Sequence, residues 1–418
     1  MSTEGDGTVQ DPINREPDPE TLVKSFLTPS QARDTAEFKA YDRNHGPIQH
    51  IDASKHRVTV RSDSTAESRA VPKPVDLKLS VDDLHSRFRQ HTVTCALQCA
   101  GNRRHEMRSR LKEVSGIDWG DGAVMNAEWT GPLLRDVLIA AGVVEKNESH
   151  EGLHVQLECN ATEVQEDDWY GGSIPLAVAM DPEREVVLAL KMNGEPLSDR
   201  HGAPVRAITP GIVGARSVKW LDTIVVSLSE SQNHYQQHDY KVLPPEATSP
   251  EKAEELGLWQ KGVVPPMLDN DINSVVAVPG EDGAELHRDS GGRVRIAGYA
   301  IPKGKDGPVV NVCVSIDRGG AWHDAKILTD GDEYTTQLAN TGKAGAEGED
   351  DGASKLRDNK FSWVLWEVSI TCEPAEDVSI WSKATDRGGN TQSEIEGSWN
   401  LRGVGYNAVE GRRGIKIV

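Results

Sequence analysis

The stretch TVTCALQCAGNRRHEM, residues 92–107, decides how this chain is read. Near its centre Cys99 is followed by Ala100-Gly101-Asn102 and then by two guanidiniums, Arg103 and Arg104. A thiolate is a soft ligand suited to a transition metal. An adjacent guanidinium lowers a thiol's pKa and can fork onto an oxyanion. Six residues therefore supply a metal ligand and an anion clamp. An isolated thiol is more often a buried structural side chain, so the thiol alone leaves both readings open. Cys95, four residues earlier, could share a helix face with Cys99; with no further ligand beside the pair, Cys95 is read as core.

The chain has 418 residues, enough for two or three domains with cores of their own. Its hydrophobic content is 37%, and no segment approaches the ~20 uninterrupted apolar residues of a membrane span. A formal net charge of -20 argues against nucleic acid as a partner. In so acidic a protein, the cations beside Cys99 stand out as a pocket that can focus anions. The five cysteines, at 95, 99, 159, 313 and 372, are an odd and scattered set rather than a disulfide framework. The N-terminal MSTEGDGTVQDPINREPDPE has neither the apolar core of a signal peptide nor the Arg-rich pattern of a transit peptide, and the C-terminal GIKIV is not an SKL-type address. The expected compartment is the cytoplasm or an organellar matrix, without membrane partners.

Residues 1–30, polar and rich in Asp, Glu and Pro, read as a disordered acidic tail. Residues 31–255 mix helix and strand signals. HRVTVRS at 56–62 alternates as a strand does. PLLRDVLIAAG at 132–142 sets apolar residues at 133, 134, 137, 138 and 141, a helix stripe with Pro132 near its start and Gly142 at its end. SVKWLDTIVVSL at 217–228 reads as a strand. The polar, Pro-rich stretch 243–270 reads as a connector. From 265 to 418 the strands VRIAGYAI, VVNVCVSID, KFSWVLWEVSIT and DVSIWSKATD alternate with turn signals, two of them the look-alike Asp317-Arg318-Gly319-Gly320 and Asp386-Arg387-Gly388-Gly389. That pattern predicts a two-sheet sandwich of immunoglobulin type, with 341–353 as a solvated loop. The expected class is α+β: a mixed α/β domain, then an all-β immunoglobulin-like sandwich.

Two more segments belong with the Cys99 stretch: AYDRNHGPI at 40–48 and DRHGAPVRAITPGIVGARSVKWL at 199–221. Together with CAGNRR they resemble the sulfite oxidase family, molybdenum enzymes that include the Mo domain of eukaryotic nitrate reductase. The resemblance covers roughly residues 35–418. It implies a molybdopterin-binding domain followed by an immunoglobulin-like dimerisation domain, hence a homodimer. Cys99 would be the protein ligand to molybdenum. Tyr41, Asp42, Arg43, Asn44 and His45 would contact the cofactor, as would His201, Arg206, Ser217, Val218 and Lys219. Cationic groups and main-chain donors suit its phosphate oxygens. Tyr41 and Asp42 stand where the family commonly has Phe-Val.

The substrate pocket implied by the family maps to Arg43, Arg104, Arg402 and Tyr240, with Trp119 in its wall; plain core packing is the rival reading of Trp119. The implied reaction is oxidation of sulfite to sulfate. Electrons would leave to oxygen or to an external acceptor such as a cytochrome, because the HPGG-bearing haem domain of animal relatives is not expected here and nor is haem. Arg402, in WNLRG, stands where nitrate reductases resemble WNLMG, which favours sulfite; KVLPPEA after Tyr240 has some nitrate reductase flavour. The alternatives are a nitrate-reductase-type oxotransferase and a non-catalytic dimeric scaffold. His234 and His238 have zinc-compatible spacing without a third ligand, and read as a polar surface segment. The family's cofactor-contacting Asp has no clean match: Asn160 and Asp167 both lie near its place, before YGGSIP, and neither is assigned.

Overall fold

The computed structural model describes residues 14–29, 40–63, 70–145, 150–260, 262–328 and 359–418. The first domain is built on a five-stranded sheet in the order Asp76–Ser80, Arg57–Ser62, Thr223–Ser227, His154–Cys159, Tyr170–Pro175. Arg57–Ser62 and Thr223–Ser227 run parallel; the other neighbours are antiparallel. The alternation in HRVTVRS does what it predicts, burying Val58 and Val60 completely while Arg57 stays exposed.

A second sheet pairs Gln90–Gln98 antiparallel with Val124–Pro132 and adds the short strands Lys191–Met192 and Glu195–Pro196. The β-branched run Thr92-Val93-Thr94 suits a pleated strand. This corrects the notion of a helix face shared by Cys95 and Cys99. Cys95 sits within the strand, and Cys99 is the first residue beyond its end. The helix Arg104–Arg110 begins only after the following turn.

Two element boundaries also differ from expectation. Pro132 closes the strand Val124–Pro132, so the helix runs Leu134–Ala140 from an N-cap at Leu133 and stops at Gly142, whose φ is +105°. Only Thr223–Ser227 of the segment 217–228 is strand. Ahead of it the backbone turns: Ser217 N donates to Gly214 O at 3.0 Å, and Trp220, at φ +51°, donates to Gly202 O at 3.2 Å.

The second domain is two sheets face to face. One has the order Asn273–Val278, Arg293–Ile301, Val364–Thr371, Lys326–Leu328. The other has Glu285–Leu286, Glu410–Ile417, Ala375–Asp386, Val309–Ser315, His323–Asp324. Val276, Ile296 and Trp366 from one sheet meet Val312, Ile380 and Ile415 from the other in a single core. The expected loop at 341–353 lies outside the described residues.

Two stretches read as loose are packed. In the connector, Ser249 caps a helix at Pro250–Glu255, and Leu243, Ala253 and Leu258 bury against Trp399 and Leu401 of the second domain and Met107 of the first. Residues 14–29 of the expected tail also dock. Glu16 accepts from Gly120 N at 2.9 Å and Gly122 N at 3.1 Å, Leu22 is buried, and Phe26 O accepts from Trp363 Nε1 at 2.8 Å. Composition misses this because the anchoring groups are single side chains set among polar residues. Residues 1–13 lie outside the described residues. Among the described residues no helix is long and apolar enough to cross a membrane.

Candidate active site

Cys99 is buried in a turn that Asn102 ties down. Cys99 N donates to Ala123 O at 2.9 Å, and Asn102 N closes the turn onto Cys99 O at 3.0 Å. The Asn102 amide accepts from Ala123 N at 2.9 Å and donates to Gln98 Oε1 and to Tyr299 Oη of the second domain. The thiol opens on a cavity of ≈ 740 Å³, its mouth included. Tyr41, Arg43, Asn44, His45 and Tyr240 share that cavity, as do Arg206, Ser217 and Lys219. Segments some 175 residues apart in sequence therefore converge, as Lys219 Nζ donating to Asn44 Oδ1 at 2.9 Å attests.

In the 40–48 segment, Arg43 donates to Asn14 Oδ1 at 3.1 Å, Asn44 O at 2.6 Å and His45 Nδ1 at 2.9 Å. The other ring nitrogen of His45 meets the Tyr240 hydroxyl at 2.8 Å. The Asp42 side chain does not line the cavity, which leaves its main chain as the part that could meet a cofactor. Its carboxylate is fully buried away from the cavity, 3.0 Å from Arg200 and 3.9 Å from Lys219, where it balances cations instead of lining the site.

The 199–221 segment builds a buried cationic cradle. Burial pushes the Lys219 ammonium from 10.5 down to about 7, against the pull of Asp42. Burial, with Lys219 and Arg206 beside it, holds His201 well below the usual imidazole pKa. The His201 ring is 1% exposed, and neither of its nitrogens has a hydrogen-bond partner. Arg206 donates to Ser217 O at 3.2 Å and lies over the Trp129 ring at 5.2 Å. Gly202, at φ +97°, has no room for a Cβ, which would fall 2.8 Å from Lys219 Cα. The Val218 side chain is buried in the core and its carbonyl accepts from Ala207 N at 2.9 Å, which leaves its N–H as the group that could meet a cofactor.

Three of the expected substrate-pocket residues lie behind the cavity wall. Arg104 is buried and donates to Gly403 O at 2.9 Å and Ile117 O at 2.7 Å. A Cβ on Gly101, Gly116 or Gly403 would come within 2.5, 2.7 or 2.8 Å of its side chain, so three glycines make its slot. Burial lowers the Arg104 pKa, while Cys99 and Tyr240 oppose the shift. Arg402 is paired with Asp239 through Nη2, and its Nε donates to Asp239 O at 3.4 Å. Trp119 packs in the same apolar cluster as Tyr41, Cys99 and Met125 and does not line the cavity.

Sequence reasoning missed Tyr170, Asp239 and Asn14. Tyr170 lines the cavity, stacks on His45 at 5.3 Å and donates to Ala215 O at 2.9 Å. It opens the YGGSIP segment, the one signal that pointed to it. Asn160 donates to Asp222, and Asp167 accepts from Asn233 and from the backbone of His234. Both are thus engaged in local structure. The rings of His234 and His238 stack at 5.0 Å, with His238 against Trp259. Among the described residues no group of three or more His, Cys, Asp or Glu is arranged to hold a metal.

The donor set fits a phosphorylated, metal-bearing cofactor. The cavity offers one soft sulfur ligand, a buried ammonium and a buried guanidinium, and next to Lys219 and Arg206 lies the His201 imidazole, whose two nitrogens are unpartnered although buried. Unpaired polar atoms at such depth are costly unless a ligand meets them.

The family model described as "Oxidoreductase molybdopterin binding domain" matches residues 45–235, and that described as "Mo-co oxidoreductase dimerisation domain" matches residues 265–409. The chain is 38% identical to "Sulfite oxidase, mitochondrial" of Mus musculus over 409 residues, which is 96% of this chain and 63% of that protein. It is 33% identical to "Sulfite oxidase" of Arabidopsis thaliana, across 94% of this chain and 90% of that one. "Nitrate reductase [NADH]" of Ulva prolifera is also 33% identical, with 42% of its length covered. In fold, the chain is similar to the sulfane dehydrogenase SoxCD from Paracoccus pantotrophus, with a TM-score of 0.66 and 23% identity across 94% of this chain and 82% of that one. The chain spans about 63% of the length of the mouse relative. On the matched domains and the identity to the Arabidopsis protein, the chain belongs to the sulfite oxidase family of molybdopterin oxidoreductases.

Proposed function

We propose that this protein is a molybdenum oxidoreductase that converts sulfite to sulfate and passes the electrons to oxygen or to an external carrier. The observation that carries the reading is the convergence of Cys99, Arg43, Tyr240, Arg206, Ser217 and Lys219 on one cavity, with the buried His201 ring next to Lys219 and Arg206. Cys99 would ligate molybdenum, and His201, Arg206, Ser217 and Lys219 would hold the molybdopterin, Lys219 and Arg206 as cations and His201 through a ring nitrogen. When bound, this cofactor supplies oxo transfer and two-electron redox chemistry.

The chain's own residues bind and orient the anion. Arg43 and the Tyr240 hydroxyl border the space beside Cys99, and Arg104 adds positive charge from behind the turn. Arg402 of the second domain pairs with Asp239, the residue before Tyr240, and so ties that segment to the second domain. Charge-assisted hydrogen bonds of this kind suit a small oxyanion. The second domain, which matches the dimerisation model, supports a homodimer.

A nitrate-reducing reading is the rival, favoured by the likeness to the Ulva protein. Arg402 weighs against it, because nitrate reductases resemble WNLMG at this position. The test is steady-state turnover of molybdenum-quantified protein with sulfite and ferricyanide, beside nitrate with reduced viologen. Sulfite-dependent reduction with little nitrate turnover is expected; nitrate turnover alone would overturn the proposal.

A further inference from the structure

Arg43, His45 and Tyr240 form a hydrogen-bonded chain whose direction follows from chemistry alone. A guanidinium has donors and no acceptor. Arg43 Nη2 lies 2.9 Å from His45 Nδ1, so Nδ1 accepts and carries no proton. The ring proton of the neutral imidazole is therefore on Nε2. Nε2 lies 2.8 Å from the Tyr240 hydroxyl oxygen, which must accept. His45 does not take the proton of Tyr240, and the hydroxyl that bears it borders the cavity shared with Cys99. Burial and the Arg43 charge both disfavour an imidazolium, which would have to point an N–H at a guanidinium.

This arrangement also leaves His45 little to offer a cofactor. Both ring nitrogens are engaged by protein groups, the carbonyl accepts from Gln165 N at 2.9 Å, and the ring packs against Tyr170 and Tyr235. We infer that His45 is a positioning residue that fixes the Tyr240 hydroxyl as a hydrogen-bond donor toward an oxyanion in the Cys99 cavity. The identity of that anion as sulfite rests on the function proposed above; the direction of the chain does not. A donor-only hydroxyl favours an anion that presents bare oxygens over one that presents a proton.

Two measurements test this on the full-length protein. In the first, ¹⁵N-histidine-labelled wild type is compared with His45→Gln to assign the His45 ring signals. The neutral Nε2–H tautomer is expected at neutral pH; an Nδ1–H tautomer or an imidazolium overturns the inference. In the second, sulfite kinetics are normalised to molybdenum and pterin content. Tyr240→Phe and His45→Leu are each expected to raise KM for sulfite, the former by roughly tenfold, the loss of one charge-assisted hydrogen bond. The double variant should be no worse than Tyr240→Phe. His45→Gln keeps a side-chain N–H near the Nε2 position and should recover most of the loss. Multiplicative losses in the double variant, or no recovery by Gln, would overturn the inference. A wild type inactive on sulfite but holding the Nε2–H tautomer would refute the proposed function and leave the hydrogen-bond direction standing.

Discussion

Arg103 of the first domain meets Glu410 of the second at 3.1 Å, with both side chains 2% exposed. The same guanidinium donates to Asn273 Oδ1 at 2.7 Å and Ala408 O at 3.2 Å, and lies 3.5 Å from Asp121, which Arg412 approaches at 2.8 Å. Arg103 is thus the joint between the Cys99 turn and the β sandwich. Its neighbour Arg104 grips the second domain through Gly403.

Removing one partner of a buried ion pair strands the other charge, at a cost of about 3–5 kcal/mol. Glu410→Ala is therefore expected to destabilise the protein by that order, read as a lowered denaturant midpoint. A shift below about 1 kcal/mol would place the pair with ordinary surface bridges.

The Arg104 slot predicts a steric effect on function. Gly403 sits at φ +58°, and a Cβ there would lie 2.8 Å from Arg104 Nε. Gly403→Ala should lower kcat/KM for sulfite at least tenfold by displacing Arg104, beyond the roughly 1 kcal/mol of left-handed backbone strain. Gly142→Ala is the control, since Gly142 has φ +105° with nothing within 4 Å of a Cβ. That variant should lose stability and keep its kcat/KM. Equal kinetic effects from both would refute the steric account.

Lys219 predicts a pH dependence for cofactor-free protein. Its folded pKa, about 7, lies below the unfolded value near 10.5. Between these values the unfolded chain holds a proton that the folded chain lacks, so this group makes stability rise with pH across that window. Below about pH 7 both states are protonated and the contribution is flat. The slope is up to ~1.4 kcal/mol per pH unit, and Lys219→Met should remove it. Denaturant titrations of wild type and variant across the window check the prediction; matching slopes would contradict it.

The parts of the fold and site carried by contiguous residues were legible in the sequence. CAGNRR announced a buried thiol with guanidiniums close behind it because those residues lie within six positions. HRVTVRS announced its strand through alternation, and the Val/Ile/Trp-rich runs after 270 announced the sandwich. Contacts made at long range were not legible. Asp239 matters through Arg402, 163 residues away, and Asn14 through Arg43. Asp42 and Val218 sit inside legible segments, yet their side chains turn from the cavity, an orientation no motif reports. The strand at Cys95 escaped because an i, i+4 spacing suits either a helix face or one face of a strand.

In the proposed function Cys99 anchors the redox centre. The most direct measurement is sulfite-dependent ferricyanide reduction by Cys99→Ser, with folding checked by its denaturant midpoint and molybdenum counted per chain. The expected result is a folded protein whose turnover per chain falls at least a hundredfold, because an alcohol is a poor substitute for a thiolate toward a soft-binding metal. A folded variant that retains wild-type turnover per chain would contradict the account.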